Sequence, residues 1–386
     1  MKPGYQVIVI GAGSTGAAVA HDLALRGFKV TLVERFGIAG GTTGHNQAQL
    51  HSGARYAVKD PASACECIDD NRVLRRIMPE ALELNDGLFI ALSEKHLAYR
   101  ATFLEACAQC GIPTCELSPK EALRLEPALN PGLLAAIQIP DGVFDPFRFT
   151  LSFIATAKKN GARVLLFHEV IGLNTQKGEV VLLDRRTGKK LTLGCDAVIN
   201  AAGPWAPEIA QMANVHLEIE ASAGVMATVK KRLCNMVINL LDYPADGDII
   251  VPQRLTSILG TTSWSVSDPD HIPIPAEHLA RLYELGEWMI PGVKNAPLWG
   301  VMAAARPLIK AQGGAGRAAG RAASRRFLCF DHSAPGSAAF FSIIGGKTTT
   351  ARLMAEQLVD KVCARMGVLV ECRTRTERLE SYRLGL

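Results

Sequence analysis

A chain of 386 residues is too long for one simple core and suits two connected domains. With 48% hydrophobic and 20% charged residues it is globular rather than disordered or fibrous, and a net charge of +5 is too mild for a nucleic-acid binder. There is no uncharged apolar run of the roughly 18 residues a membrane span needs, no secretory leader pattern, and the cysteines therefore read as reduced thiols, so a soluble cytoplasmic enzyme is the expected class.

Tyr5–Ile10 is a β-branched apolar run of the kind a strand buried on both faces requires. Gly11-Ala-Gly13-Ser14-Thr15-Gly16 follows, then a helical segment closed by Gly27, and then a second strand, Lys29–Glu34, ending in an acid. In this order each residue has a task. Gly11 permits the tight turn, Gly13 lets backbone approach a pyrophosphate, and Gly16 lets the helix lie close to the strand. The helix start offers free N–H groups and a positive dipole end to phosphates. Glu34 stands where a carboxylate accepts both ribose hydroxyls, which disfavours a 2′-phosphate and leaves FAD or NAD.

The loop Phe36–Asn46, rich in glycine and hydroxyl residues, replaces the next βα unit of an NAD domain and suits the remainder of a longer cofactor. Two later strands also end in small residues: Cys195–Asn200 before Ala201-Ala202-Gly203-Pro204-Trp205, and Phe340–Ile344 before Gly345-Gly346-Lys347-Thr348. Such scattered strand ends converge on one cofactor only in a discontinuous domain, and together they favour FAD.

Further stretches carry a resemblance: Leu50-His51-Ser52-Gly53-Ala54-Arg55-Tyr56, Pro140-Asp141-Gly142-Val143-Phe144-Asp145-Pro146, Asn200–Gly203, Ala305-Arg306-Pro307-Leu308 and Gly345-Gly346-Lys347. In this order, from about Val7 to about Met366, the chain resembles the FAD-dependent glycerol-3-phosphate dehydrogenases, a group within the D-amino-acid-oxidase-like flavoproteins, and most closely the large flavin subunit of the anaerobic type. The fold this implies is α/β: a Rossmann-like FAD-binding domain of the glutathione-reductase/D-amino-acid-oxidase type, with an inserted substrate domain on a mixed or antiparallel sheet. The FAD domain is expected over 1–81, 140–216 and 303–370, the substrate domain over 82–139 and 217–302, and a tail over 371–386.

The activity implied is oxidation of glycerol 3-phosphate at C2 to dihydroxyacetone phosphate, with hydride passing to flavin N5. By resemblance the cofactor lies against Gly11, Gly13, Ser14, Thr15 and Gly16, then Glu34 and Arg35. It continues past Thr42, Thr43 and Gly44, past His51 and Ser52, and past Val170 at the adenine end. Ala202, Gly203, Gly345, Gly346, Lys347 and Thr348 complete the expected set. Bidentate arginine is the best phosphate donor, and Arg55 and Arg306 are the candidates, with Tyr56 and Arg352 as further substrate contacts. His51 is the candidate base, because imidazole titrates near neutrality, and Lys347 is the candidate cation beside the reduced flavin.

The bland alternatives are a structural histidine, a solvated Arg306 ahead of Pro307, an exposed Lys347 and a packing role for Trp205. The chain also departs from the family pattern. Thr348, Ala351 and the Ala304-Ala305 pair are smaller than the usual residues, which enlarges the pocket and opens the alternative of another small 2-hydroxy acid or amino acid, such as 2-hydroxyglutarate or glycine. A flavin subunit without its own turnover is the non-enzyme alternative. Lys310–Arg326 carries five basic residues among Gly and Ala and reads as a surface loop. Cys107-Ala-Gln-Cys110 and the Cys65/Cys67 pair fall in helical stretches, so no metal site is expected. The family's cysteine-rich extension, about a hundred residues, is not seen before Leu386, so electrons are expected to leave to partner subunits, a quinone or oxygen, with peripheral docking at the inner face of the cytoplasmic membrane compatible with that.

Overall fold

The computed structural model describes residues 4–309 and 326–384, so most of the basic loop at 310–326 lies outside the described residues. A six-stranded sheet runs in the order Phe327–Asp331, Ala339–Gly345, Ala197–Asn200, Gln6–Ile10, Lys29–Glu34, Arg163–Leu166. All neighbours are parallel except the first pair, which is antiparallel. The strand predicted from Tyr5 is buried from Val7 to Ile10, as a central parallel strand must be when both faces are covered. The helices Ser14–Leu25, Pro146–Lys159 and Ala351–Met366 pack together on one face. Alanines at 17, 18 and 20 keep the first helix thin enough for every residue from Gly16 to Leu25 to be buried. The other face carries a three-stranded antiparallel sheet, His168–Asn174, Glu179–Asp184 and Lys190–Gly194.

The second module is a nine-stranded, mostly antiparallel sheet. Its order is Trp264–Ser265, Ile219–Val229, Thr256–Gly260, Ile249–Gln253, Val237–Leu240, Gly87–Ala91, Ala135–Ile139, Cys115–Leu117, with Leu298–Ile309 along the free side of Ile219–Val229. The two inserted segments meet in one parallel pairing, Val237–Leu240 beside Gly87–Ala91. One expected boundary moves. The strand Leu298–Ile309 pairs with Ile219–Val229 along its length, so residues 303–309, assigned from sequence to the FAD domain, belong to the substrate sheet. Hydrogen-bond register decides this, and the small residues Ala303–Ala305 give no sign of it. Within the expected tail at 371–386, the described residues are tied to the rest of the chain: Leu379 N–H donates to Ile77 O at 2.9 Å, and Arg375 pairs with Asp69 at 2.8 Å.

His21 in the first helix is fully buried, with its ring 5.5 Å from that of Phe153 and no hydrogen-bond partner for either ring nitrogen among the described residues. Burial, helped by Arg352, lowers its pKa from 6.5 to about 3. The unfolded chain therefore takes up a proton near 6.5 that the folded chain refuses, so stability is complete above that pH and declines as pH falls toward 3. Replacing the ring by an isosteric apolar group removes this linkage. In thermal melts at about pH 7.5 and about pH 5, His21→Leu is expected to lose a few degrees less than the wild type on acidification; an equal loss would exclude His21 as the source.

Candidate functional site

A cavity of about 690 Å³ opens where the carboxyl ends of the parallel strands face the large sheet. In open α/β sheets ligands bind at these strand ends, because the loops there diverge. Gly11, Gly13, Ser14 and Thr15 line it at the start of the first helix. Gly16 lies behind the lining, and a Cβ there would stand 1.9 Å from Gly11 O, so only glycine allows the helix this close to the turn. The Ser14 N–H donates to Thr43 Oγ1 at 3.0 Å, which latches the glycine-rich loop onto the helix start. Thr42 also lines the cavity and donates from its hydroxyl to Ala305 O at 2.5 Å, tying that loop to the substrate sheet. Gly44 does not face the cavity; its Cα is pressed against the loop itself, where a Cβ would meet Ala39 O at 2.4 Å.

Glu34 is held by two backbone N–H groups, Oε2 accepting from Ala12 at 2.8 Å and Oε1 from Phe36 at 2.9 Å. Its carboxylate is thereby oriented at the cavity edge with lone pairs to spare. Arg35, Val170, Ala202 and Gly203 line the same end. Phe36, His168 and Trp205, which the sequence did not identify as cofactor contacts, stand with them. The Arg35 guanidinium lies 4.2 Å from the Trp205 ring centroid and 5.0 Å from that of Phe36, and it pairs with Asp270 at 2.7 Å. The motif Ala-Gly-Pro-Trp was the one available signal for Trp205.

At the other end His51, Arg55, Tyr56, Arg306, Lys347 and Thr348 come together from separate stretches of chain. Gly345 and Gly346 both have positive φ, 86° and 76°, and turn the chain from strand to helix beneath Lys347. Lys347 Nζ sits 4.7 Å from the Tyr56 ring centroid, and the Tyr56 ring tilts against His51 at 5.3 Å. Arg306 donates to Thr261 Oγ1 at 2.8 Å, Thr262 O at 3.1 Å and Ala223 O at 3.2 Å. Gly224 makes this arrangement possible, since a Cβ there would meet the guanidinium at 2.2 Å. Arg55 is buried in an ion pair with Asp248 at 2.5 Å and donates to Ala245 O at 3.2 Å.

Besides Gly16 and Gly44, two further expected contacts are not at the cavity. Ser52 is fully buried behind it, its N–H donating to Asp141 Oδ1 at 2.6 Å. Arg352 is also fully buried and is corrected from substrate contact to structural ion pair: it meets Asp70 at 2.7 Å and Glu356 at 2.5 Å, and donates to Thr374 Oγ1 at 3.1 Å. Helical geometry explains the miss, because Arg352 follows the turn below Lys347 and points at helix Pro61–Ile77 instead of the cavity. Burial raises the Asp70 carboxyl to about 6, with Arg352 pulling against it. Asp141 is raised to about 6 by the same cause, opposed by its bonds from Ser52 and Gln49.

The cavity thus joins a groove of backbone donors with a fixed carboxylate to a cationic chamber. A long dinucleotide with a pyrophosphate and a ribose fits the groove, and FAD has both, with a flavin to reach the chamber. The model of the family described as FAD dependent oxidoreductase matches residues 6–352. The chain is 40% identical to a subunit of the anaerobic glycerol-3-phosphate dehydrogenase of Escherichia coli K12, over 95% of this chain and 68% of that protein. It is 40% identical to the corresponding subunit of the Haloferax volcanii enzyme, over 98% of this chain and 67% of that protein. The FAD-bound L-α-glycerophosphate oxidase of Mycoplasma pneumoniae shares the fold, with a TM-score of 0.75 at 20% identity over 98% of this chain and 96% of that chain.

Gly13 lines the groove and its Cβ position is 3.1 Å from Thr43 Oγ1, so a branched side chain would both enter the groove and push the latch away. Purified Gly13→Val is expected to be folded by circular dichroism and colourless; a stoichiometric flavin absorbance would overturn the placement of the pyrophosphate.

Proposed function

This chain belongs to the FAD-dependent oxidoreductase family, and we propose that it oxidises glycerol 3-phosphate to dihydroxyacetone phosphate. The observation that carries this reading is the convergence of Arg55, Arg306, Lys347 and His51 on the chamber that continues from the dinucleotide groove. The match in sequence to the glycerol-3-phosphate dehydrogenase subunits supports it across nearly the whole chain.

Arg306 is the principal phosphate donor. Carbonyls and a hydroxyl fix the plane of its guanidinium, and a planar fork suits a phosphate edge. Arg55 is held rigid by Asp248 and Ala245, so it adds direction to phosphate binding but less charge. His51 accepts the C2 hydroxyl proton as the C2–H bond gives up its electron pair. FAD, which the groove of Gly11, Gly13, Ser14 and Glu34 would hold, would supply the two-electron acceptor for the hydride. Lys347, fixed over the Tyr56 ring, offsets the negative charge that arrives with the hydride. His51 and Arg55 are buried, and charge interactions strengthen where water is displaced.

The electrons then leave to a separate acceptor, a quinone or partner subunits, in keeping with the subunit names of the relatives. No helix among the described residues is long and apolar enough to cross a membrane, so any contact with a membrane acceptor would be peripheral. The deciding experiment is anaerobic titration of the flavin. Glycerol 3-phosphate is expected to bleach it, and 2-hydroxyglutarate and glycine are not; the reverse pattern would replace the substrate.

Removing a charged hydrogen-bond donor typically costs about 1.5–3 kcal/mol, which is roughly 10- to 100-fold in affinity. Arg306→Ala is therefore expected to raise KM for glycerol 3-phosphate by about that factor while the protein stays yellow. Unchanged steady-state kinetics would remove Arg306 from the phosphate role.

A further inference from the structure

Asp141 belongs to a stretch that carried the family resemblance but has no part in the reaction described above. It is buried where the chain leaves the substrate strand Ala135–Ile139 and enters the short strand Gly142–Phe144. Its carboxylate spans residues on either side of His51. Oδ2 accepts from Gln49 Nε2 at 2.6 Å, and Oδ1 accepts from Ser52 N–H at 2.6 Å. The main chain of His51 is pinned in between, its N–H donating to Thr349 Oγ1 at 3.1 Å and its carbonyl accepting from Asn71 Nδ2 at 3.2 Å. Arg75 closes the back of this arrangement, donating to Asn71 Oδ1 at 2.7 Å and to the carbonyls of Pro140 and Asp141 at 2.9 Å. Gly87 of the large sheet leaves the room for it, because a Cβ there would stand 3.0 Å from the Cβ of Asp141.

A buried carboxylate is costly to keep unless its hydrogen bonds repay the desolvation. Here both bonds end on the one segment that carries the candidate base, and the carboxylate sits at the seam of the two modules. We infer that Asp141 is a positioning residue, a clamp that fixes the Gln49–Ser52 segment and so sets the His51 imidazole against the substrate hydroxyl. It acts through His51 and does not touch substrate. The role rests on the glycerol 3-phosphate reading for the task of His51, whereas the clamp itself rests on the bonds alone.

Asp141→Asn keeps the shape and one acceptor oxygen but loses the charge and meets Gln49 with an amide; Asp141→Ala removes both bonds. The test compares FAD-loaded wild type, both variants, His51→Ala and the Asp141→Asn/His51→Ala double variant. Hydrogen–deuterium exchange is expected to quicken over residues 47–56 in both Asp141 variants, with flavin content unchanged. Turnover by Asp141→Asn is expected to fall about 10-fold, with KM for glycerol 3-phosphate within about twofold. In the His51→Ala background the same substitution is expected to cost nothing further. Unchanged exchange over 47–56, or losses that multiply in the double variant, would overturn the inference. If Asp141→Ala does not fold, Asp141→Asn decides alone. If glycerol 3-phosphate leaves wild-type flavin oxidised, the reaction reading fails by itself, and exchange alone upholds or overturns the clamp.

Discussion

The parallel alignment of five strands governs the rest of the molecule. Parallel neighbours place all their carboxyl ends on one edge, and the register here is tight: Ile10 lies opposite both Asn200 and Val33. The loops that follow these strands therefore emerge side by side at the strand spacing of about 4.8 Å. Gly11, Glu34, Ala201 and Gly345 are distant in sequence and adjacent in space for this reason alone. A dinucleotide laid along that edge meets each loop in turn. The second sheet faces the same edge and closes the cavity with Ala303–Leu308, so the site exists only between the modules.

The two ends of the cavity solve different electrostatic problems. The nucleotide end uses oriented dipoles and one acid whose oxygens are preset by backbone N–H groups, which gives direction with little net charge. The chamber end uses full cations, and their surroundings differ. Asp248 offsets the charge of Arg55, whereas carbonyls and Thr261 set the plane of Arg306. A small dianion placed between them would meet two guanidiniums whose directions are already fixed. On the proposed reading, such an arrangement would favour a phosphate at one fixed distance from the His51 imidazole over anions in general.

Much of this was legible in the sequence because it rests on local rules. The first strand, turn, helix and second strand follow from residue type and spacing, and Lys29–Glu34 has the expected bounds. What was not legible depends on long-range pairing. Residues 303–309 read as a return to the first domain, and only their pairing with Ile219–Val229 assigns them to the second. Asp248 gave no signal as the partner of Arg55, since 193 positions separate them. Trp205 looked equally suited to packing and to the site; it lines the cavity with the Arg35 guanidinium over its ring. Ser52 follows the lining residue His51 directly and Arg352 comes three residues after the lining residue Thr349, and the turn of the chain carries each inside.

Arg352 shows what such inward charges do. A buried ion pair adds little stability over an apolar contact of the same size, yet breaking one costs about 3–5 kcal/mol because a lone charge remains. Its effect is to reject wrong registers. Arg352 joins the last helix to helix Pro61–Ile77 through Asp70, 282 positions away, and the Leu353 N–H donates to the same carboxylate at 3.0 Å. Sliding either helix by a residue would strand the guanidinium and the carboxylate together. Lys347 and Gly346 precede that helix by a single short turn, and His51 accepts its place from Thr349 of the same turn. The salt bridge thus fixes the distance between the two sides of the chamber. An arginine too buried to line the cavity still helps to set where Lys347 and His51 stand.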